Sequence, residues 1–139
     1  MTRLESDVVE VAQSPEMSYN FLSDFENIGR LMPAQVEDFS TDGDTCKFTI
    51  KGMTTLGLSY GTKTPNSEIV MTKNGKAPFD FNLVCKIDPG TDASTSRLQL
   101  FLDADLNPFL KMMAEKPLTN FLNLLVKKYS ELSSAGALS

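Results

Sequence analysis

With no histidine among its 139 residues, this chain lacks the usual acid–base group of neutral pH. Proton transfer would fall to carboxylates or to Tyr60, since Cys46 and Cys85, in apolar alternating segments, suit buried reduced thiols. Asp103 and Asp105 stand at i and i+2 in a strand-like stretch, so they share one face. That face is opposite Leu98, Leu100 and Leu102, which makes them solvated rather than a catalytic pair. Asp42 and Asp44 fall in a turn, and a calcium loop needs a denser set of oxygens. Glu10 and Glu68 would point inward only if a strand register slipped by one residue, and a buried Glu or Tyr60 could then act in proton transfer. Two cysteines without a CxxC spacing, in a chain without histidine, make no zinc site. Gly57 and Gly61 sit in a strand context, not in a phosphate-cradling loop. The expectation is no catalytic residue, no metal and no cofactor.

Composition narrows the partner class. Hydrophobic residues at 41% and charged residues at 22% suit an ordinary globular domain. A net charge of −5 fits poorly with a nucleic-acid backbone and opposes simple electrostatic docking on anionic lipid. From Asn107 onward the balance reverses, with Lys111, Lys116, Lys127 and Lys128 against Glu115 and Glu131, a net +2. This reads as a solvated helix face, with Lys127 and Lys128 complementing the C-terminal dipole. No apolar run approaches the length of a membrane span, so no integral membrane association is expected. The opening stretch MTRLESDVVEV lacks a secretory pattern, which implies a cytoplasmic location.

The elements that must position these residues are legible from period and punctuation. Residues 3–11, rich in valine, read as one strand. Ser14 then caps a helix with Pro15 at its first position, carrying Met17, Phe21, Leu22 and Phe25. Gly29 and Pro33 bracket a second, short helix through Ile28, Leu31 and Met32. From Val36 the period changes to two. Cys46, Phe48 and Ile50 alternate with polar partners, as do Phe79, Phe81, Leu83, Cys85 and Ile87, and then Leu98 to Leu106. Thr41-Asp42-Gly43-Asp44, Thr64-Pro65-Asn66 and Lys73-Asn74-Gly75-Lys76 are turns. Asn107-Pro108 switches the chain to a long helix reaching about Leu132, interrupted in principle by Pro117. One domain over 1–132 and a flexible tail over 133–139 follow. One sheet face is apolar and needs a cover, which only the last helix can supply. Phe101, on the polar face, suits an isolated surface aromatic or a weak dimer contact.

This order, with Ser14-Pro15-Glu16 ahead of Phe21-Leu22-Ser23-Asp24-Phe25 and Ala104-Asp105-Leu106-Asn107-Pro108 entering the final helix, resembles the helix-grip fold of the SRPBCC superfamily. That superfamily includes START-like, polyketide cyclase-like and birch pollen allergen-like proteins. The resemblance covers residues 3–132 and is similar to small bacterial members of unassigned role. It implies an α+β fold: a curved seven-stranded antiparallel sheet, two short helices after the first strand, and a long C-terminal helix over the sheet. It also implies that the strands of Cys46 and Cys85 are three strands apart. At normal strand spacing that is roughly 14 Å, too far for a disulfide, so both thiols are expected free.

The resemblance implies a cavity between sheet and helix. Its inward candidates are Phe48, Ile50, Leu58, Tyr60, Met71, Phe81, Leu83, Leu100 and Leu102 from the sheet, with Phe109, Met112, Met113 and Phe121 from the helix. Met and Phe suit adaptable apolar contacts, although the same residues also suit an ordinary filled core. The functional expectation is binding or carriage of a small hydrophobic molecule, lipid, isoprenoid or polyketide-like, in a cavity of several hundred Å³. The alternatives are a cyclase or dehydratase using a pocket Tyr or Glu, and a chaperone-cofactor-like interaction module.

Overall fold

Alternating strands joined by short turns can only pair each antiparallel to the one before. A computed structural model, which describes residues 1–136, has this arrangement from the third strand to the eighth. The chain runs β1 (Thr2–Glu5), β2 (Val9–Val11), α1 (Pro15–Leu22), α2 (Phe25–Gly29), β3 (Val36–Thr41), β4 (Thr45–Ile50), β5 (Thr55–Thr64), β6 (Glu68–Lys73), β7 (Phe81–Pro89), β8 (Ser96–Ala104) and α3 (Pro108–Ser134). The sheet order is β1-β8-β7-β6-β5-β4-β3, with β2 also on β8. This is the curved antiparallel sheet with a long C-terminal helix of the helix-grip fold.

Three boundaries differ from the sequence expectation. The single first strand is broken at residues 6–8. There Ser6 exchanges backbone and hydroxyl bonds with Leu100, each at 2.9 Å, and both halves stay paired to β8. The second helix lies earlier than expected, because Asp24 caps it by accepting from the Glu26 amide at 2.9 Å. The last helix extends to Ser134; the expected flexible tail therefore begins with helical residues, and its positions 137–139 lie outside the described residues.

Bends come from identifiable residues. The β5–β6 register shifts between Tyr60 and Lys63, across Gly61, and bulges bend the strand that carries them. On the edge strand β3 the shift falls between Glu37 and Ser40, where Asp38 has φ 57°. A charged bulge of this kind blunts an open sheet edge. Gly57 has no room for a side chain, since a Cβ there would meet the Asn74 carbonyl oxygen at 2.2 Å. The β6–β7 turn can therefore sit directly on β5.

The polar face of the sheet is partly covered by Arg3. Its guanidinium binds both carboxylate oxygens of Asp103 at 2.6 and 2.8 Å and lies 4.5 Å from the centre of the Phe101 ring. Asp103 is thus paired rather than solvated, and Phe101 is buried by its own chain instead of offering a dimer contact.

α3 covers the apolar face through Ala114, Leu118, Phe121, Leu122, Leu125, Val126 and Tyr129, all buried. Leu118, Leu122 and Tyr129 are completely so. Such side chains each stabilise by about 1.5–3 kcal/mol through area removed from water. The helix is attached asymmetrically. Its backbone comes close to β1, β2 and β8, and four hydrogen bonds latch its second half to residues 7–13. The Asp7 amide donates to Asn123, the Ala12 amide to Ser133, the Tyr129 hydroxyl to Gln13, and the Ser130 hydroxyl to the Glu10 carbonyl. Among the described residues, none of the hydrogen bonds to other elements starts from Pro108 to Leu122. That half is held by apolar contact and by its cap.

The cap is Asn107, whose side chain accepts from the Leu110 amide at 2.9 Å. Asn107→Ala is expected to lower stability by about 1 kcal/mol. Urea unfolding should show the loss, and hydrogen exchange should place the added opening at residues 110–113 rather than beyond Asn123.

Candidate functional site

Alternation in β4–β8 sends one set of side chains beneath α3, and these enclose two small voids. The larger, about 20 Å³, is bordered by Leu22, Ile28, Leu31, Met32, Phe48, Leu58, Met71, Leu83, Cys85, Leu98, Leu100, Phe121, Leu125, Val126 and Tyr129. The smaller, about 10 Å³, is bordered by Phe48, Leu56, Leu58, Phe81, Leu83, Leu102, Leu118, Phe121 and Leu122. Phe48, Leu58, Leu83 and Phe121 border both. Phe121 also stacks on Phe48, with ring centres 5.6 Å apart. One turn nearer the start of α3 lies an open groove of about 320 Å³ between Gly52, Met53, Thr54, Pro78, Phe79, Leu110, Met113 and Ala114. Groove, small void and larger void follow one another along α3, at residues 110–114, 118–122 and 121–129.

The enclosed spaces correct the expected cavity of several hundred Å³. Each is about the size needed for one water, because large side chains from α1 and α2, among them Leu22, Ile28 and Leu31, fill the space that a bare sheet and helix would leave. Of the three spaces along α3, the surface groove alone reaches the volume typical of a small-molecule site.

Of the expected site residues, Phe48, Leu58, Met71, Phe81, Leu83, Leu100, Leu102 and Phe121 come together around the two voids. Ile50 is in the core but borders neither. Tyr60 stacks on Phe25 at 4.1 Å and donates its hydroxyl to the Leu22 carbonyl at 2.7 Å, so its polar end serves the backbone. Phe109, Met112 and Met113 are not beneath the helix: they are 63, 75 and 60% exposed. The physical reason is phase. At 3.6 residues per turn, the stripe Ala114, Leu118, Phe121, Leu125 faces the sheet, and Phe109, Met112 and Met113 fall on the other side. Only Met113 reaches the groove wall. Lining residues outside the expected set include Leu118, Leu125 and Tyr129, which follow Ala114 and Phe121 at spacings of three or four, Phe79, which the sequence placed at the head of an alternating strand, and Met53 and Pro78, for which no local pattern existed.

The polar groups near the voids are satisfied and neutral. The Tyr129 hydroxyl donates to Gln13. Ser18 and Ser96 share a 2.8 Å hydrogen bond, and Ser96 donates to the Gln13 carbonyl. Among the described residues no buried side-chain oxygen or nitrogen lacks a partner. Burial pushes the thiols of Cys46 and Cys85 and the phenol of Tyr129 up to about 12. It also raises Tyr60, with smaller contributions from the two thiols and Asp24. All four therefore keep their protons at neutral pH and offer no ready nucleophile or base. Cys46 and Cys85 are free thiols, on strands with β5 and β6 between them. The registers of β2 and β6 do not slip: Glu10 is exposed and accepts from the Thr91 amide, and Glu68 pairs across from Lys86. Among the described residues no group of His, Cys, Asp or Glu is placed to hold a metal.

No protein-family model matches the chain, and no curated protein sequence does. Solved structures match over nearly its whole length. XoxI from Bacillus cereus superposes with a TM-score of 0.77 at 13% identity, covering 99% of each chain. A START superfamily protein from Mycobacterium smegmatis gives 0.73 at 20% identity, over 96% of this chain and 97% of the other. Norcoclaurine synthase from Thalictrum flavum, in complex with dopamine and hydroxybenzaldehyde, gives 0.73 at 14% identity, over 96% of this chain and 87% of the other. What is shared is the helix-grip fold.

Proposed function

We propose, from a helix-grip fold shared with a START protein and with an enzyme that holds aromatic ligands, that this protein binds a small hydrophobic molecule in the seam beneath α3. The observation that supports the reading best is the row of three apolar spaces along the helix, with Phe121 bordering both closed ones. The seam itself is closed, with voids of only about 20 and 10 Å³. A ligand would enter at the groove of Met53, Phe79, Leu110 and Met113, displace Phe121, and occupy the joined voids. The polar latches of α3 all lie beyond that point, at residues 123–133, so the first half can lift while the second stays anchored. A lipid, isoprenoid or polyketide-like chain suits walls made of Leu, Met and Phe.

The test is native mass spectrometry and solvent extraction of the purified protein, followed by titration with a fluorescent fatty acid and with a polycyclic aromatic probe. Saturable binding of one probe per chain, competed by unlabelled fatty acid, is the expected result. A protein that carries nothing and takes up neither probe would remove the reading.

A further inference from the structure

The outer line of α3 combines exposed apolar side chains with exposed lysines. At 3.6 residues per turn, Phe109, Lys116, Asn120 and Lys127 fall opposite Leu118 and Leu125, with Met112 and Met113 flanking the first of them. The three apolar side chains are 60–75% exposed within five residues. The lysines beside and behind them are exposed and enter no ion pair among the described residues. Glu115 is the only carboxylate on the helix before Glu131.

We propose that this face docks peripherally on an anionic lipid bilayer, with Phe109, Met112 and Met113 entering the interface and Lys116 and Lys127 at the level of the headgroups. An exposed apolar tip backed by lysines is the composition of an interfacial helix. Long lysine stems let the charge stay in the headgroup layer while their carbons follow the apolar side chains inward. The charge distribution supports the same orientation. α3 carries a net +2 and the remainder of the chain −7, so the molecule is polarised, and an anionic surface attracts the helix while repelling the opposite side. The overall acidity that opposes electrostatic docking of the whole chain thus selects one way to approach.

Size argues against a second copy as the occupant. Three side chains, at roughly 150–250 Å² for a large aromatic and less for each Met, fall short of the approximately 800 Å² per partner of a stable dimer. No helix among the described residues is long and apolar enough to cross a membrane, so the contact is superficial. The docking face borders the groove at Met113 and Leu110. Where the seam reading also holds, it would bring the ligand's point of access to the bilayer; docking itself does not depend on that reading.

The experiment is vesicle flotation of the full chain with phosphatidylcholine alone and with added phosphatidylglycerol. The protein should float with the anionic vesicles and lose binding as salt rises. Lys116→Ala and Lys127→Ala should each weaken binding about fivefold, and together more. Phe109→Ser with Met112→Ser and Met113→Ser should abolish it, with thermal unfolding unchanged because these side chains are exposed. Absence of flotation, or flotation that the serine variant leaves intact, overturns the proposal. So does a dimer in light scattering that the serine variant dissolves. The fatty-acid probe reads the seam separately. Probe binding without flotation removes docking alone, and flotation without probe binding removes the seam reading alone.

Discussion

Phe121→Ala is expected to cost the fold about 3–5 kcal/mol and to convert a closed seam into one that takes up small apolar molecules. The ring is buried, stacked on Phe48 and shared by both voids. Its removal leaves the two spaces joined, lined by Leu58, Leu83 and their neighbours. The neighbours can relax only partly, since α3 is latched at residues 123–133 to the first strands. An apolar void on the order of 150 Å³ stays dry and binds benzene-sized molecules. Urea unfolding measures the loss of stability. Titration with a small aromatic, followed by the rise in melting temperature it causes, measures the gain of binding. A variant that remains folded but shows no such rise would mean that the seam collapses, and the row of spaces would lose its significance as a ligand path. Phe121→Leu, which keeps part of the volume, should fall between wild type and Phe121→Ala on both scales.

The second large effect is alkaline unfolding. Cys46 and Cys85 are almost completely buried, and burial holds both thiols at about 12 against an ordinary 9.0. Below pH 9 the thiols are protonated whether the chain is folded or not, and their contribution to stability is complete. Above it the unfolded chain releases protons that the folded chain keeps, so stability falls until the pH passes the folded value. Each thiol shifts the folding equilibrium about tenfold per pH unit through that window, and Tyr129, also raised to about 12, adds to the loss above its ordinary 10.0. Total stabilities of small domains are only about 5–15 kcal/mol, so unfolding well before pH 12 is expected. Urea midpoints between pH 8 and 11 test this. Cys85→Ala should be less stable at neutral pH through lost packing, yet flatter with pH by about one proton. An unchanged slope would mean that this thiol already reaches solvent in the folded state.

Both effects depend on residues whose burial was legible in the sequence to different degrees. Cys46 and Cys85 lie in alternating stretches, and a period of two assigns strand faces without reference to anything distant. The same local signal carried Phe48, Leu58, Leu83, Leu100 and Leu102 to the correct side of the sheet. Caps are equally local: Ser14 and Asn107 each accept from an amide three residues ahead. The sequence by itself therefore determined the succession of six strands from Val36 to Ala104, the strand faces and the starts of the first and last helices, whereas the separation of the two thiols came with the fold that the resemblance implied.

The tertiary structure alone decided which side of the early turns of α3 meets the sheet. Phe109, Met112 and Met113 are apolar and follow helical spacing, but they are out of phase with the stripe that begins at Ala114. Only the docked helix shows that the later stripe, with more area to bury, sets the rotation of the whole. It also decided that Arg3 covers Phe101 across the sheet, a contact spanning most of the chain length, and that the space beneath α3 is closed. Cavity size is a small difference between large packed volumes. Residue types give the wall, but how far Leu22, Ile28 and Leu31 reach into the space depends on where α1 and α2 settle against the sheet.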